Sequence, residues 1–469
     1  MSRINTNISS LQAIHRLTKN NADLSMRMQR LSSGLKINSG KDAPAALIAS
    51  ETLRSEIAGL NQAMDNNGRA GNVINTAEGA LSEVSALLLQ IESLTNEAAN
   101  KGALSPEEIA ANQLQVDSIL SSINRISNTT QFNGVKLLNG ALDYTTSGVS
   151  STNFGKVQIN SARLPDGTPV NVVVAVTQSA QTAQIAYTSG TLSANNVVTV
   201  QVTGNRGAEQ LSFKGGTTVA AMAAAINMVK NATGVSATTS GASSLLLNSI
   251  EFGSRQYVSL TTVSGTFNPL ATYDAGRDAS VTVNGAAAQS DGLSVNYRSN
   301  NLDVELQMKA AFNTVGNSSF YITGGGAQFN LGPKVTETDK ASIGLGSVAA
   351  GSLGDNIDGY LSSLASGAVN SLSSKNLVTA QRIIDKAIKQ VATLRGRLGA
   401  FQKEVLESNI NSLSVALENV TASESAIRDA DFASETAAMT RAQILVQANT
   451  SVLAQANATP QSVLALLRG

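Results

Sequence analysis

The stretch Phe432-Ala-Ser-Glu-Thr-Ala-Ala-Met439-Thr-Arg-Ala442-Gln-Ile-Leu-Val446-Gln-Ala-Asn449-Thr-Ser-Val-Leu453-Ala-Gln-Ala456 decides how the chain is read. Phe432, Glu435, Met439, Ala442, Val446, Asn449, Leu453 and Ala456 recur at the 3-4 spacing of a coiled-coil seam, and all but Glu435 and Asn449 are apolar. From Ala442 onward the only charged residue is Arg468, and the other faces carry Gln443, Gln447, Thr450, Ser451, Gln455 and Asn457. A solvated helix face normally carries Lys and Glu. Neutral amides and hydroxyls are cheaper to desolvate than charges. The helix is therefore expected to be surrounded by protein on most sides, with copies of the chain burying one another's ends.

The opposite end offers a matching stripe. Leu11, Ile14, Leu17, Leu24, Met28 and Leu31 stand at helical spacing over residues 1 to about 36. This segment is basic: Arg3, Arg16, Lys19, Arg27, Arg30 and Lys36 face only Asp23. The basic run reads either as a solvated face or as the complement of Asp429, Asp431 and Glu435 on a packed neighbour. A long helix is expected over 45–100, with its seam at Leu81, Val84, Leu88, Ile91, Leu94 and Ala98, ended by Gly102. Ser105-Pro-Glu-Glu108 is a capping box that starts the next helix, expected to stop near Asn128. Helix returns at about Lys375. Its seam of Ile384, Ala387, Val391, Leu394, Leu398, Phe401 and Val405 slips by one to Leu406, Ile410, Leu413, Leu417 and Val420, as helical drift against a heptad would produce. Thr421-Ala-Ser-Glu424 reads as a capping box before the last helix, and Thr459-Pro460 as the start of a last short turn.

Between these ends the chain is rich in Gly, Ser, Thr, Val and Asn. Strands are expected at 170–176, 197–203, 208–214, 281–283, 293–297 and 302–308, with turns at Asp166-Gly167, 204–207, Asn284-Gly285 and Asp291-Gly292 and one helix over 218–231. The fold class is thus α+β: a discontinuous α-helical coiled-coil core built from both chain ends, with a β-rich central insert. The expected division is 1–42 plus 424–469 as a terminal helical domain, 43–150 plus 360–423 as a helical bundle, and 151–359 as a solvent-exposed insert.

Composition narrows function. The 469 residues balance 33 Lys+Arg against 33 Asp+Glu, so no global charge draws the chain to nucleic acid or an anionic membrane, and near-neutrality favours self-association. Cysteine is absent, which removes disulfides, thiolate metal sites and Cys nucleophiles. No run has the apolar length of a membrane span. The first ten residues have no apolar h-region or cleavage site, so export, if it occurs, is expected without an ordinary cleavable signal peptide. The single histidine, His15, cannot build an HExxH or multi-histidine site, and a Ser-His-Asp triad would need it from a helix assigned to packing. No GxxxxGK[ST] loop exists, Gly324-Gly-Gly326 reads as a turn, and Asp429 and Asp431 read as helix-start acids. The expectation is a non-enzyme that needs no cofactor or metal. A second non-enzyme reading makes the insert a surface-binding module on a helical stalk.

Specific strings stand at both ends of the chain. At one end are Ile4-Asn-Thr-Asn-Ile8, Leu31-Ser-Ser-Gly-Leu-Lys-Ile-Asn-Ser39 with Lys41-Asp42, and Thr130-Gln-Phe-Asn-Gly-Val-Lys136. At the other stand Ala426-Ile-Arg-Asp-Ala-Asp-Phe432, Arg441-Ala-Gln-Ile-Leu445, Ser451-Val-Leu-Ala-Gln-Ala456 and Val463-Leu-Ala-Leu-Leu-Arg468. Together these strings resemble bacterial flagellin, the filament protein of the flagellum, and in the insert 221–231 with 245–247 and 279–285 resemble small modules of flagellins and hook-associated proteins. The resemblance implies a subunit that polymerises head-to-tail into a hollow extracellular filament, the propeller for swimming, with a hook-filament junction protein as the alternative. It makes Leu11, Ile14, Leu17, Leu24, Met28, Leu31, Phe432, Met439, Val446, Asn449, Leu453, Leu464 and Leu467 the polymerisation interface. It also implies a filament cap protein, hook-associated junction proteins, the flagellar export apparatus and an export chaperone as partners. Host innate receptors meet many members on the helix that here includes 88–94. The matching surface is Gln90, Ile91, Glu92, Leu94 and Gln115. Arginine typically stands where this chain has Gln90, glutamate where it has Gln115 and a basic residue where it has Glu92, so recognition is expected to be weakened.

Overall fold

The computed structural model describes residues 6–468 except 101, 166–167, 194–195, 242, 300 and 375, with side chains described as far as Thr459. Arg3, Ile4, the Asp166-Gly167 turn and Lys375 lie outside the described residues, as do the side chains of Leu464 and Leu467. The helices are α1 (Ile8–Ser33), α2 (Pro44–Ala99), α3 (Pro106–Thr129), α4 (Val219–Met228), α5 (Lys230–Thr233), α6 (Leu377–Ala400), α7 (Ser408–Arg428) and α8 (Phe432–Arg468). The chain forms two units: Met1–Gly68 with Leu331–Asp339 and Val405–Gly469, and Arg69–Asn330 with Lys340–Glu404.

Local chemistry sets several helix ends. Gly34 closes α1 in the left-handed conformation (φ 73°), where its N–H reaches Arg30 O. Ser105 and Glu108 form the reciprocal capping box read from the sequence. Four expectations are corrected. Helix α2 stops at Ala99, ahead of Gly102, because the Asn100 N–H turns back to Glu97 O at 2.9 Å. The 421–424 stretch is interior to α7, and the chain breaks at 429–431, where Asp431 Oδ1 accepts from Ala433 N at 3.0 Å and starts α8. No turn begins at Thr459; α8 runs on to Arg468. The one-residue seam slip is not drift. Residues Phe401–Glu407 wind as a π-helix, which inserts a residue into the turn and moves burial from Leu398 to Leu406.

In the first unit α1 packs antiparallel on α8, and the early part of α2 packs on α7 through Leu60, Ala63, Met64, Leu413, Ala416, Leu417 and Val420. A segment of the central region belongs here too. The Leu331 carbonyl accepts from Asn67 Nδ2 at 3.2 Å and Asn409 Nδ2 at 2.7 Å. Gly59 leaves room for it, since a Cβ there would lie 2.9 Å from Pro333 O.

In the second unit, α2 buries Ile74, Leu81, Val84, Leu88, Ile91 and Ala98. The seam position assigned to Leu94 goes to Thr95, which is 2% exposed and returns its hydroxyl to Ile91 O at 2.8 Å. Leu94 is half-buried. Gln113 of α3 is buried and satisfied, its amide spanning Leu364 O (2.9 Å) and Leu372 N (2.7 Å). Arg395 of α6 pairs with Glu78 of α2 at 2.7 Å.

The β-rich part consists of two lobes, one nested in the other. The outer lobe has an antiparallel five-stranded sheet, in spatial order Ala286–Ala287, Ser280–Val283, Val170–Gln178, Gly316–Gly325 and Tyr144–Ser147. A four-stranded sheet of Gln289–Asp291, Ser294–Arg298, Leu302–Met308 and Phe154–Ala162 shares its core. Alternation places Val172, Val174 and Val176 inward against Phe320, while Phe154 meets Phe312 edge-on at 5.5 Å. Asn284 and Gly285, at φ 50° and 83°, make the tight hairpin their sequence calls for. The inner lobe, 183–276, folds a three-stranded sheet and a four-stranded sheet around α4, whose Val219, Met222 and Ile226 are buried. The expected helix over 218–231 ends at Met228, and α5 follows as a separate turn closed by Gly234.

The inner lobe leaves and re-enters at one point: Gln181 and Arg277 exchange backbone hydrogen bonds of 2.8 and 3.0 Å. Joining Thr182 directly to Gly276 would leave a two-residue turn between them. Excision of 183–275 is therefore expected to leave the outer lobe folded. Its thermal midpoint should move by no more than about 5 °C, equivalent to ~1 kcal/mol for a domain of this size. Circular dichroism melting checks this, and loss of the remaining β signal would show that the two lobes fold as one.

Candidate assembly interface

The α1–α8 pair joins the two ends of the sequence. Of the seam residues on α8, Met439, Val446, Asn449 and Leu453 are half-buried and Ala442 is buried (3% exposed). On α1, Ala13 is buried, and Leu17, Leu24 and Leu31 are half-buried. The pair thus brings together about half of the stripe residues assigned to the interface. Among the described residues it leaves four in solvent: Leu11 is 53% exposed, Ile14 46%, Met28 50% and Phe432 65%. Sequence reasoning missed Ile444, Leu445 and Val452, which are also exposed and lie off the seam on α8. Their signal was present, since they are large aliphatics in a helix almost free of charge.

At one end of the pair the seam acid Glu435 is buried and holds both basic residues opposite it. Its carboxylate accepts from Arg27 Nη1 at 2.8 Å and from Arg30 Nη1 at 3.0 Å. Burial works to raise the Glu435 carboxyl, but the two guanidinium hydrogen bonds outweigh it and hold the group below its ordinary value. Two residues of the basic run, Arg27 and Arg30, thus meet an acidic complement within the chain, while Arg16, Lys19 and Lys36 are exposed. Glu435 alone of the three acids takes that role. Asp431 caps α8, and Asp429 accepts from Ser425 Oγ at 2.6 Å.

Beside this cluster two chain crossings exchange backbone bonds. Lys36 N donates to Arg428 O (2.7 Å) and Ala430 N to Gly34 O (2.9 Å), with Leu35 bridging Asp429. The loop that follows α1 is closed by Asp42, which accepts from Ser39 Oγ and N at 2.9 Å; these bonds lower its carboxyl. The quoted 31–42 and 426–432 strings are thus two sides of one junction. At the far end of the pair, Asn7 Nδ2 donates to Ala456 O at 2.8 Å and Ser10 Oγ to Asn457 Oδ1 at 2.8 Å.

In the second unit, Gln90 and Gln115 are exposed, Glu92 and Leu94 half-buried. Ile91 is completely buried, so it belongs to the core and not to a surface. Chemistry-bearing groups of that unit line a cleft of about 480 Å³, among them Asp143, Lys156, Lys386 and Arg397. Lys386 is bonded to Asp355 and Asp358. Burial raises Asp143 and lowers Lys156. No histidine lines the cleft. His15 is exposed on α1. Among the described residues no helix is long and apolar enough to cross a membrane, and no acidic or imidazole group is arranged to hold a metal ion.

Three family models match the chain: the bacterial flagellin N-terminal helical region over 4–143, the bacterial flagellin C-terminal helical region over 381–467, and the flagellin hook IN motif over 199–251. The last falls inside the inner β lobe. The polar flagellin B/D of Vibrio parahaemolyticus is 31% identical over 465 residues, covering 99% of each chain. A flagellin of Salmonella choleraesuis is 32% identical over 507 residues, again 99% of each. Among solved structures, FliC from Burkholderia pseudomallei is 14% identical, with 71% of this chain and 98% of that one covered and a TM-score of 0.24. The D2-D3 domains of the flagellar cap protein FliD from Serratia marcescens are 19% identical, covering 36% and 99%, at a TM-score of 0.26. With family models at both ends and relatives above 30% identity along its whole length, the chain belongs to the bacterial flagellins and is a structural subunit of the flagellar filament.

Proposed function

We propose that the subunit polymerises head-to-tail through the α1–α8 pair into a hollow extracellular filament. The observation that carries this reading is the apolar set Leu11, Ile14, Met28, Phe432, Ile444, Leu445 and Val452, exposed on a helix pair whose outer faces are nearly uncharged along α8. Such a surface is stable only when neighbours cover it. A contact that repeats without closing on itself generates an open helical polymer. The same reading keeps Leu17, Leu24, Leu31, Met439, Val446, Asn449, Leu453, Leu464 and Leu467 as interface residues. It also keeps the division into 1–42 plus 424–469, 43–150 plus 360–423, and the 151–359 insert. Seeded growth of the purified full chain, viewed by negative stain, tests it. Long filaments are expected, and discrete particles at the same concentration would overturn it.

Family membership supports the remaining partners: the filament cap protein, hook-associated junction proteins, and the flagellar export apparatus with its chaperone, by which the chain reaches the cell exterior. A structural role leaves no task for a cofactor. Host innate receptors are expected to respond weakly, because Gln90, Glu92 and Gln115 lack the charges that would make charge-assisted contacts. Substitution of Gln90→Arg with Gln115→Glu should raise the potency of purified monomer on receptor-bearing cells by about tenfold or more, the scale of one or two such contacts. Equal potency of the parent and the substituted chain would contradict this.

A further inference from the structure

We propose that Asn7 sets the register of the two terminal helices by donating to a carbonyl that Pro460 leaves without its helical donor. In α8 the N–H of residue 460 would bond the carbonyl of residue 456, four residues earlier. Proline has no N–H. The orphaned Ala456 carbonyl is taken up by Asn7 Nδ2 at 2.8 Å. The other end of the same amide caps α1, Asn7 Oδ1 accepting from Ser10 N at 3.0 Å. The two contacts fix the amide's orientation, since a flip would set N–H against N–H and oxygen against oxygen. They also explain the residue type. Asp could cap but not donate, and Ser could cap but not reach. Ser10 Oγ to Asn457 Oδ1 lies beside the pair.

A pin is needed because the seam itself specifies register weakly. Most of the covered residues are aliphatic, Ala13, Leu17 and Leu24 on α1 and Met439, Ala442, Val446 and Leu453 on α8, so register rests on the few polar groups along the pair, the half-buried Asn449 among them. Glu435 with Arg27 and Arg30 fixes one end of the pair. The Asn7–Ala456 bond fixes the other, so a slipped pairing leaves both a buried ionic group and a backbone carbonyl unsatisfied. The Pro460 position thereby acquires a role: a residue unfavourable inside a helix creates the acceptor that only the correct register fills.

The inference rests on the reading that these helices build the polymer, and the test separates the two. Critical monomer concentration for seeded growth is measured for the parent, Asn7→Ser, Pro460→Ala and the double variant. Asn7→Ser keeps the cap and removes only the donor. It should raise the critical concentration about fivefold in the parent. In the Pro460→Ala background, where residue 460 again supplies an N–H to Ala456 O, it should change it less than about twofold. An equal effect in both backgrounds, or none in either, overturns the inference while leaving assembly through the helical ends intact. Failure of the parent itself to grow overturns the assembly reading instead. Unchanged circular dichroism melting of the β lobes in all four chains shows that the variants are folded.

Discussion

Removal of residues 442–469 abolishes seeded filament growth while the β-rich lobes melt as they do in the full chain. The truncation takes away Ala442, Val446, Asn449 and Leu453, which cover α1, together with the Ala456 carbonyl that binds Asn7. The amino-terminal half of α1, a helix of 26 residues, then loses the cover over Ala13 and Leu17, and Leu11 and Ile14 beside them lack the neighbour that would bury them. Ordering a residue costs about 1–2 kcal/mol of backbone entropy. Isolated helices of this length are marginal when their stripe is not buried. The truncated chain therefore loses both halves of the interface, although only one is deleted. The cores of the two lobes draw on residues between Tyr144 and Ile322, so nothing in them changes. Sedimentation of seeded reactions reads the first effect and calorimetry the second. Pelletable filaments from the truncated chain would show that the polymer is built elsewhere.

Glu435→Gln gives the second large effect and removes an acid-sensitive step. The Glu435 side chain is 10% exposed and is the shared partner of Arg27 and Arg30. Without its charge two guanidinium groups, 25% and 16% exposed, are left beside each other with no carboxylate across the helix pair. Breaking a fully buried pair costs about 3–5 kcal/mol, and partial solvent screening here reduces that to about 2 kcal/mol. The critical concentration should rise by roughly thirtyfold at neutral pH. The pH dependence follows from the direction of the Glu435 shift. A carboxyl held below its ordinary 4.5 in the folded state contributes stability that is complete above that value. The contribution is lost as pH falls through the lowered folded-state value. Parent filaments should weaken over that acid range. The Glu435→Gln chain has no proton to gain at this position and should show no corresponding step. An acid profile unchanged by the substitution would assign the sensitivity to other carboxylates.

Much of this was legible from local chemistry. The Ser105–Glu108 box, the Asn284-Gly285 hairpin and the alternation of 170–176 each depend on residues a few positions apart, whose energies do not wait for a distant partner. The seams at both ends told equally that the terminal helices needed cover. Other features were decided at long range. That Glu435 belongs to Arg27 and Arg30, and that Asp429 and Asp431 do not, depends on which helix meets which and in what register. The seam slip at 401–407 was visible as spacing, but drift and a π turn produce the same sequence pattern. Only hydrogen bonding in the folded backbone separates them.

By itself, then, the sequence determined the helical ends, their apolar stripes, six strands of the insert and, through its strings at both termini, the kind of protein this is. The tertiary structure alone decided that the insert is one lobe nested in another at Gln181 and Arg277, that 331–339 returns to Asn67 and Asn409, and that Asn7 finds Ala456. The reason is physical. A cap, a turn or a stripe is stabilised within one or two helical turns, whereas each of these contacts closes a loop of tens to hundreds of residues. Any of several similar carbonyls or amides along the chain could serve, and only the packed whole selects among them.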